Sequence, residues 1–268
     1  MERPAWVGPD IDLSRPSPAR VYDVHLGGAH NFQVDREAAR RIAEVMPGLP
    51  RILRANRAFL RRAVRYLVGQ GVTQFLDLGS GIPTAGNVHE VAWSVDPACR
   101  IVYMDVDPVA VAHSRAILGD HDHATAVQGD LRLPREVLAH PEAVRTLDLT
   151  QPIGVLMFAV LHFVPDADKP AEIVREYLDA TAPGSYLALS HASLEGEADQ
   201  AEEATEQFRS RVTDFSMRTR AEITELLAPV DLVDPGVVYL TEWRPEPGDE
   251  DPDPKQMSTF AAVGRKAG

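Results

Sequence analysis

The sequence predicts an α/β fold in which helices cover both faces of a mostly parallel sheet. Three observations carry this. Short apolar runs at 74–78, 100–106, 124–128, 153–160 and 185–190 read as strands. Helical stretches at 84–94, 108–118, 134–145 and 170–181 alternate with them, which is the pattern of repeated βαβ units. The strand runs are unbroken rather than alternating, as sheets buried on both faces require.

The elements outside this alternation are read in order. Residues 1–20 are rich in Pro, Arg and Asp and form an arm, loose or laid over the surface. Residues 21–32 carry a turn signal, Gly27-Gly28, among apolar residues. Asp35 is the expected N-cap of a helix reaching Met46. A second helix over 51–68 gathers Ile52, Leu53, Phe59, Leu60, Val64 and Leu67 on one side, and Gly69 and Gly71 end it. Past Ser190 a polar helical stretch spans 195–218, and Thr219 to Glu222 is a capping-box pattern for a short helix to Leu227. Strands at 232–240 and 259–263 flank an acidic, Pro-rich loop at 246–253. The expected organisation is an arm and helical cap over 1–70 on a ligand-binding α/β domain over 71–268, as one structural unit.

Composition narrows the function classes. The 268 residues include 27 basic and 40 acidic side chains, a formal charge of −13. That balance argues against nucleic acid as a partner, because such affinity comes from clustered Lys and Arg. Cys99 is the only cysteine, which excludes an intrachain disulfide and a thiolate-rich zinc site. No His/Asp/Glu cluster has metal-ligand spacing, so no metal is expected. The longest apolar run, 153–164, is too short to span a bilayer, and no leader pattern is visible. A cytoplasmic protein is the expectation. The sequence does not fix its oligomeric state.

The chemistry concentrates at the ends of the predicted strands. Asp77-Leu78-Gly79-Ser80-Gly81 follows the first strand, and Thr84 opens the next helix. Glycines there let backbone approach a ligand closely, and the helix offers free N–H groups. Asp105 ends the second strand, 24 residues after Gly81, where an acid can accept from both ribose hydroxyls. Asp130 ends the third, placed to accept from an adenine amino group while Val106 and Leu131 flank the ring. Three acids at the carboxyl edge of one sheet point to an adenosine pocket. The loop lacks the third glycine of a dinucleotide fingerprint, and the Gly-Lys-Ser/Thr of a P-loop is absent. An extra carboxylate at Asp77 suits a cationic ligand without phosphate, which is S-adenosylmethionine rather than NAD.

These residues resemble an actinobacterial family of S-adenosylmethionine-dependent methyltransferases of undefined substrate. The matching segments are 20–32, 54–60, 77–90, 102–108, 159–163 and 183–187, and the likeness runs from about Pro18 to the end of the chain. The resemblance implies a class I methyltransferase fold: a Rossmann-like sandwich with seven strands, the last antiparallel. It further implies that Asp77, Gly79 and Gly81 line the methionine end, Asp105 the ribose and Asp130 the adenine, with Ser80, Thr84 and Phe158 also against the cofactor. Arg57 is either the partner of the cofactor carboxylate, since a guanidinium matches a carboxylate bidentately, or one more solvated arginine on an Arg-rich helix.

Methyl transfer from a sulfonium is an in-line displacement in which the protein chiefly positions donor and acceptor. If the acceptor must lose a proton, His162, just past the fourth strand, is the first candidate base, followed by His191 and His30; His162 and His191 can instead be structural histidines, the favoured reading for His191. Tyr22, His30, Asn31, Phe32 and His191 are the candidate acceptor-binding residues. The acceptor is expected to be a small molecule, by analogy at the level of the fold. Two alternatives stay open: a non-catalytic S-adenosylmethionine-binding protein, and an NAD-dependent oxidoreductase.

Overall fold

The computed structural model describes residues 13–83, 86–196, 198–248 and 250–267. Thr84, expected in the cofactor loop, lies outside the described residues, as does most of the N-terminal arm. The five parallel strands of the sequence reading form: β1 Gln74–Leu78, β2 Arg100–Asp105, β3 Ala124–Gln128, β4 Gly154–Phe158 and β5 Tyr186–Ala192. Beyond them come β6 Asp231–Leu232, β7 Val238–Tyr239 and β8 Thr259–Arg265. The sheet order is β3-β2-β1-β4-β5-β8-β6, and β7 also pairs with β8. β8 runs antiparallel to β5, from Tyr186 opposite Arg265 to Ala192 opposite Thr259. β1, β4 and β5 are buried along their whole length, which is why they read as continuous apolar runs.

The expected strand at 232–240 is broken. β6 pairs with Arg265 and Gly264, β7 with Ala261 and Phe260, and a turn closed by Gly236 N–H on the Val233 carbonyl (2.9 Å) bulges between them. Eight strands therefore occupy seven positions in the sheet, as β6 and β7 share one margin of β8.

The helices are α1 Pro18–His25, α2 Gln33–Val45, α3 Leu49–Gly69, α4 Val88–Trp93, α5 Pro108–Leu118, α6 Pro134–Leu138, α7 Pro141–Thr146, α8 Pro170–Asp179, α9 Ala198–Arg211 and α10 Arg220–Leu226. Four depart from the sequence reading. The segment 21–32 opens as helix to His25 and turns only from Leu26, with Pro18 in the first turn of α1, where a missing N–H costs nothing. Asp35 is not the N-cap of α2: Phe32 is, and the Asp35 carboxylate reaches back to the Phe32 N–H at 2.8 Å. The helix expected over 134–145 is two, because Pro141 opens a new one after His140. The stretch 195–218 is helical only to Arg211, and the rest is drawn against the sheet by the burial of Phe215 and Arg218. The capping box of α10 forms as read, with Thr219 Oγ1 accepting from Glu222 N–H at 3.3 Å.

α3 lays Phe59, Leu60, Ala63, Val64 and Leu67 into the core. Phe59 meets Trp243 and Phe158 edge-on at 5.3 and 5.4 Å, so the helix is keyed to both the last connection and the end of β4. α1 crosses above the carboxyl ends of the central strands and is fastened by Arg20. This buried guanidinium lies 3.3 Å from Asp35 of α2 and 3.5 Å from Asp107, the N-cap of α5. It also donates to the Arg15 carbonyl at 2.7 Å and rests on the Phe32 ring.

Candidate functional site

A cleft of about 280 Å³ opens at the carboxyl edge of the sheet. Its floor is the ends of β1, β2 and β4, and its roof is Ser17, Pro18, Ala19 and Tyr22. The order β3-β2-β1-β4 puts the switch in winding direction between β1 and β4, where open α/β sheets bind ligands.

The turn after β1 is held by Gly79 and Ser80 N–H groups donating to the Met104 carbonyl at 2.8 and 3.0 Å. Gly79 has φ +72°, and a Cβ there would lie 2.2 Å from Val160 Cγ2, so this position admits only glycine. Gly81 also has positive φ, +67°, but a Cβ would meet nothing within 4 Å and would point into open space. Ala159, on the facing wall, holds a left-handed φ of 51°.

Asp77 is 4% exposed and accepts no hydrogen bond among the described residues. Burial pushes its carboxyl up to about 7; the Arg57 guanidinium opposes the rise and Asp105 adds to it. Asp105 is likewise raised by burial, to about 6, though N–H groups of Asp107 and Gly81 at 2.8 and 2.7 Å hold each oxygen and oppose the shift. Each oxygen keeps a lone pair for a further donor. Asp130 is different. Arg132 clasps it bidentately, Nε to Oδ1 at 3.0 Å and Nη2 to Oδ2 at 2.6 Å, and keeps its carboxyl below the usual range. Arg132 also reaches Asp168 at 3.1 Å.

Arg57 of α3 lines the cleft, donating from Nη2 to the Gly86 carbonyl and Asn87 Oδ1, both at 3.2 Å. Its Nε is buried with no partner among the described residues. A buried carboxylate without a donor and a buried guanidinium nitrogen without an acceptor thus share one cleft. That pair fits the ammonium and carboxylate of an amino acid, as the methionine end of S-adenosylmethionine demands. Val106, 65% exposed at the mouth, offers an apolar face for a planar ring, and Leu131 lines the same end.

The cleft therefore brings together Arg57, Asp77, Gly79, Ser80, Gly81, Asp105, Val106, Asp130, Leu131, Phe158 and Tyr22. His162, His191, His30, Asn31 and Phe32 do not line it. The His162 ring is buried among Phe163, Phe215 and His191, with Nδ1 accepting from Ala192 N–H at 3.4 Å. Burial holds its proton affinity well below the ordinary histidine value. His191 lies between the Arg218 guanidinium, 2.7 Å from Nε2, and the Ala192 carbonyl, and burial lowers it to about 4. His30 meets His113 at a tilt, with ring centroids 4.0 Å apart, Asn31 ties Asp23 to the Gly28 carbonyl, and Phe32 packs on Ile82, Val109 and Ala110.

Sequence reasoning missed several wall residues. Asn56 bridges the roof to the floor: its Nδ2 donates to Tyr22 Oη at 3.2 Å and its Oδ1 accepts from Ser190 Oγ at 2.6 Å. Thr213 and Asp214 line the cleft from the segment after α9. Arg218, 5% exposed, fixes that segment through the carbonyls of Leu161 and Val164 at 3.0 and 2.9 Å.

A family model described as S-adenosyl methyltransferase matches residues 4–267. The chain superposes on a Thermobifida fusca protein classed as a methyltransferase with a TM-score of 0.92 and 39% identity, covering 98% of this chain and 100% of that one. A DUF574-family protein from Streptomyces avermitilis gives 0.91 and 36%, over 95% and 99% of the two chains. Human N-acetylserotonin methyltransferase, solved with S-adenosylmethionine, shares the fold at 0.51 and 16%, over 95% of this chain and 63% of that one. No curated protein matches the chain. No helix among the described residues is long and apolar enough to cross a membrane. The fold is that of class I methyltransferases, the cofactor is S-adenosylmethionine, and the chain belongs to the S-adenosyl methyltransferase family.

Proposed function

We propose that the enzyme methylates a small-molecule acceptor bound in the roofed cleft. The observation that supports this is the roof itself: α1 lies over the sheet edge, clasped by Arg20 to Asp35 and Asp107. A cleft closed on that side leaves little of its floor open to a macromolecular surface.

When bound, the cofactor supplies a methyl group on a cationic sulfur, activated for in-line displacement. In this reading Asp77 holds the ammonium, Arg57 the carboxylate, Asp105 the ribose hydroxyls and Asp130 the adenine amino group. Val106, Leu131 and Phe158 bound the apolar surfaces, and the turn with Gly79, Ser80 and Gly81 lets the backbone close on the ligand. The cofactor occupies the ends of β1, β2 and β3. The space beyond β4 and β5, under Tyr22, is left for the acceptor. His162 supports the wall there from behind, so rate enhancement rests on orientation and exclusion of water.

Radiolabelled cofactor incubated with the enzyme and a bacterial extract tests the reading. After ultrafiltration the label is expected in the low-mass fraction, and label in the protein or nucleic-acid fraction overturns it. Arg57→Ala should weaken cofactor binding about 10- to 100-fold, the loss of a charge-assisted hydrogen bond in a buried site. Calorimetry showing wild-type affinity would remove Arg57 from the methionine end.

A further inference from the structure

The wall beyond β4 has a chemical character of its own. Its lining residues are Phe158, Ala159, Val160, Phe163, Val164, Pro165, Thr213 and Asp214. Asp214 is the one ionisable side chain among them, and its carboxylate joins no hydrogen bond or ion pair among the described residues. The other charged groups at the cleft are engaged or belong to the cofactor end. Arg132 is shared between Asp130 and Asp168, Asp107 faces Arg20, and Arg57, Asp77 and Asp105 sit at β1 and β2.

The position of Asp214 is built. Ser216 N–H donates to the His162 carbonyl at 2.7 Å, Arg218 N–H to Ala192 at 3.2 Å, and Arg209 Nε to the Phe215 carbonyl at 2.7 Å. Phe215, next to Asp214, is buried against Phe208, Phe163 and His162, with centroids at 4.5, 5.5 and 4.8 Å. The backbone that carries Asp214 is thus locked at the ends of β4 and β5. Asp214 itself is exposed at the rim of the cleft, and the wall beside it is apolar, with the Phe163 ring on the same side. A carboxylate at the rim of an apolar wall that carries an aromatic ring suits an organic cation: the carboxylate supplies the charge and the ring a cation–π surface.

We propose that the acceptor is a small organic amine, bound as its cation, with the protonated nitrogen held by Asp214. This rests on the small-molecule reading above and adds the acceptor's chemical class. Neutral acceptors of the same shape would lack the ion pair, and carboxylates would meet a like charge.

The test uses the full chain saturated with S-adenosylhomocysteine and two matched probe sets: phenethylamine, phenethyl alcohol and phenylacetate, and hexylamine, hexanol and hexanoate. Affinities are read by ligand-observed NMR at two salt concentrations. The amines should bind about 5- to 10-fold more tightly than the alcohols, the range for a partly exposed ion pair with aromatic support, and the carboxylates most weakly. Added salt should narrow the gap. Asp214→Asn should bring the amines level with the alcohols while the affinity for S-adenosylhomocysteine holds. Absence of amine binding, alcohols or carboxylates binding as well as amines, or an unchanged amine preference in Asp214→Asn each overturns the proposal. So does an equal loss of S-adenosylhomocysteine affinity, which would assign Asp214 to the cofactor. The small-molecule reading fails separately, by label in the macromolecular fraction, whichever probe class binds.

Discussion

An Asp77→Asn enzyme should bind S-adenosylmethionine about 10- to 100-fold more weakly than wild type at pH 8, and the deficit should shrink at pH 6. The sign follows from the raised carboxyl, which titrates near 7 in the free protein because burial disfavours its charge. Above 7 the carboxylate is ionised and ready for the ammonium. Below 7 it must first release a proton, so wild-type affinity falls by up to about tenfold per pH unit. The Asn variant has no such proton to release, and its affinity should vary less over the same range. Calorimetry in buffers of different ionisation enthalpy reads the proton directly: wild type should release close to one proton on binding at pH 6, and the variant fewer. Wild-type binding without proton release would show that Asp77 does not face the cationic group. The stability of the free enzyme should move the other way. A folded-state value above the unfolded one means that the native protein binds the proton more tightly. The favourable contribution is therefore present at low pH and lost as pH rises from about 4 to about 7. At pH 8, Asp77→Asn should raise the unfolding temperature of the free enzyme while lowering its affinity, a functional group held at the expense of the fold.

Gly79→Ala should abolish measurable cofactor binding and destabilise the fold by about 2–5 kcal/mol, combining a left-handed backbone with overpacking. Its Cβ would fall 2.2 Å from Val160 Cγ2, and Val160 itself lines the cleft, so relief of the clash distorts the wall. Gly81→Ala is the comparison. The left-handed φ is similar at +67°, but nothing lies within 4 Å, so the fold should lose only about 1 kcal/mol. Affinity should still fall, because the new methyl group enters the space reserved for the ligand. Adding Val160→Ala should recover part of the stability of Gly79→Ala and none for Gly81→Ala. Thermal unfolding of the four proteins with and without S-adenosylhomocysteine decides between these outcomes. Equal melting temperatures for the two single variants would refute the packing account of Gly79.

The lining of the cleft at β1 to β3 was legible because strand periodicity fixes where a chain exits the sheet. Asp77 and Asp105 lie in the last two residues of β1 and β2 and Asp130 two residues past β3, and parallel pairing puts those ends on one edge whatever the loops do. The wall beyond β4 was not legible, for two physical reasons. His162 lies in a short 3-10 turn at 161–163, whose side-chain directions follow no strand or helix period, and packing turned its ring behind the wall. Thr213 and Asp214 reach the cleft through contacts made far along the chain, such as Ser216 on the His162 carbonyl. Their local sequence reads as the tail of a polar helix, and only the apolar Phe215 hinted otherwise. The Arg20 clasp was equally hidden, since one arginine among many carries no mark of burial until Asp35 and Asp107 converge on it.

The divided margin of β8 has a consequence for the behaviour of the molecule in a crowded solution. An exposed sheet edge is a template onto which a strand from another molecule can add, and long flat edges invite aggregation. Here the outer strand is only Asp231–Leu232 and Val238–Tyr239, with Pro235 in the bulge between them. An incoming chain would find two residues in register, then a five-residue detour. What looks like a defect in the seventh sheet position acts as a stop against intermolecular pairing on that side.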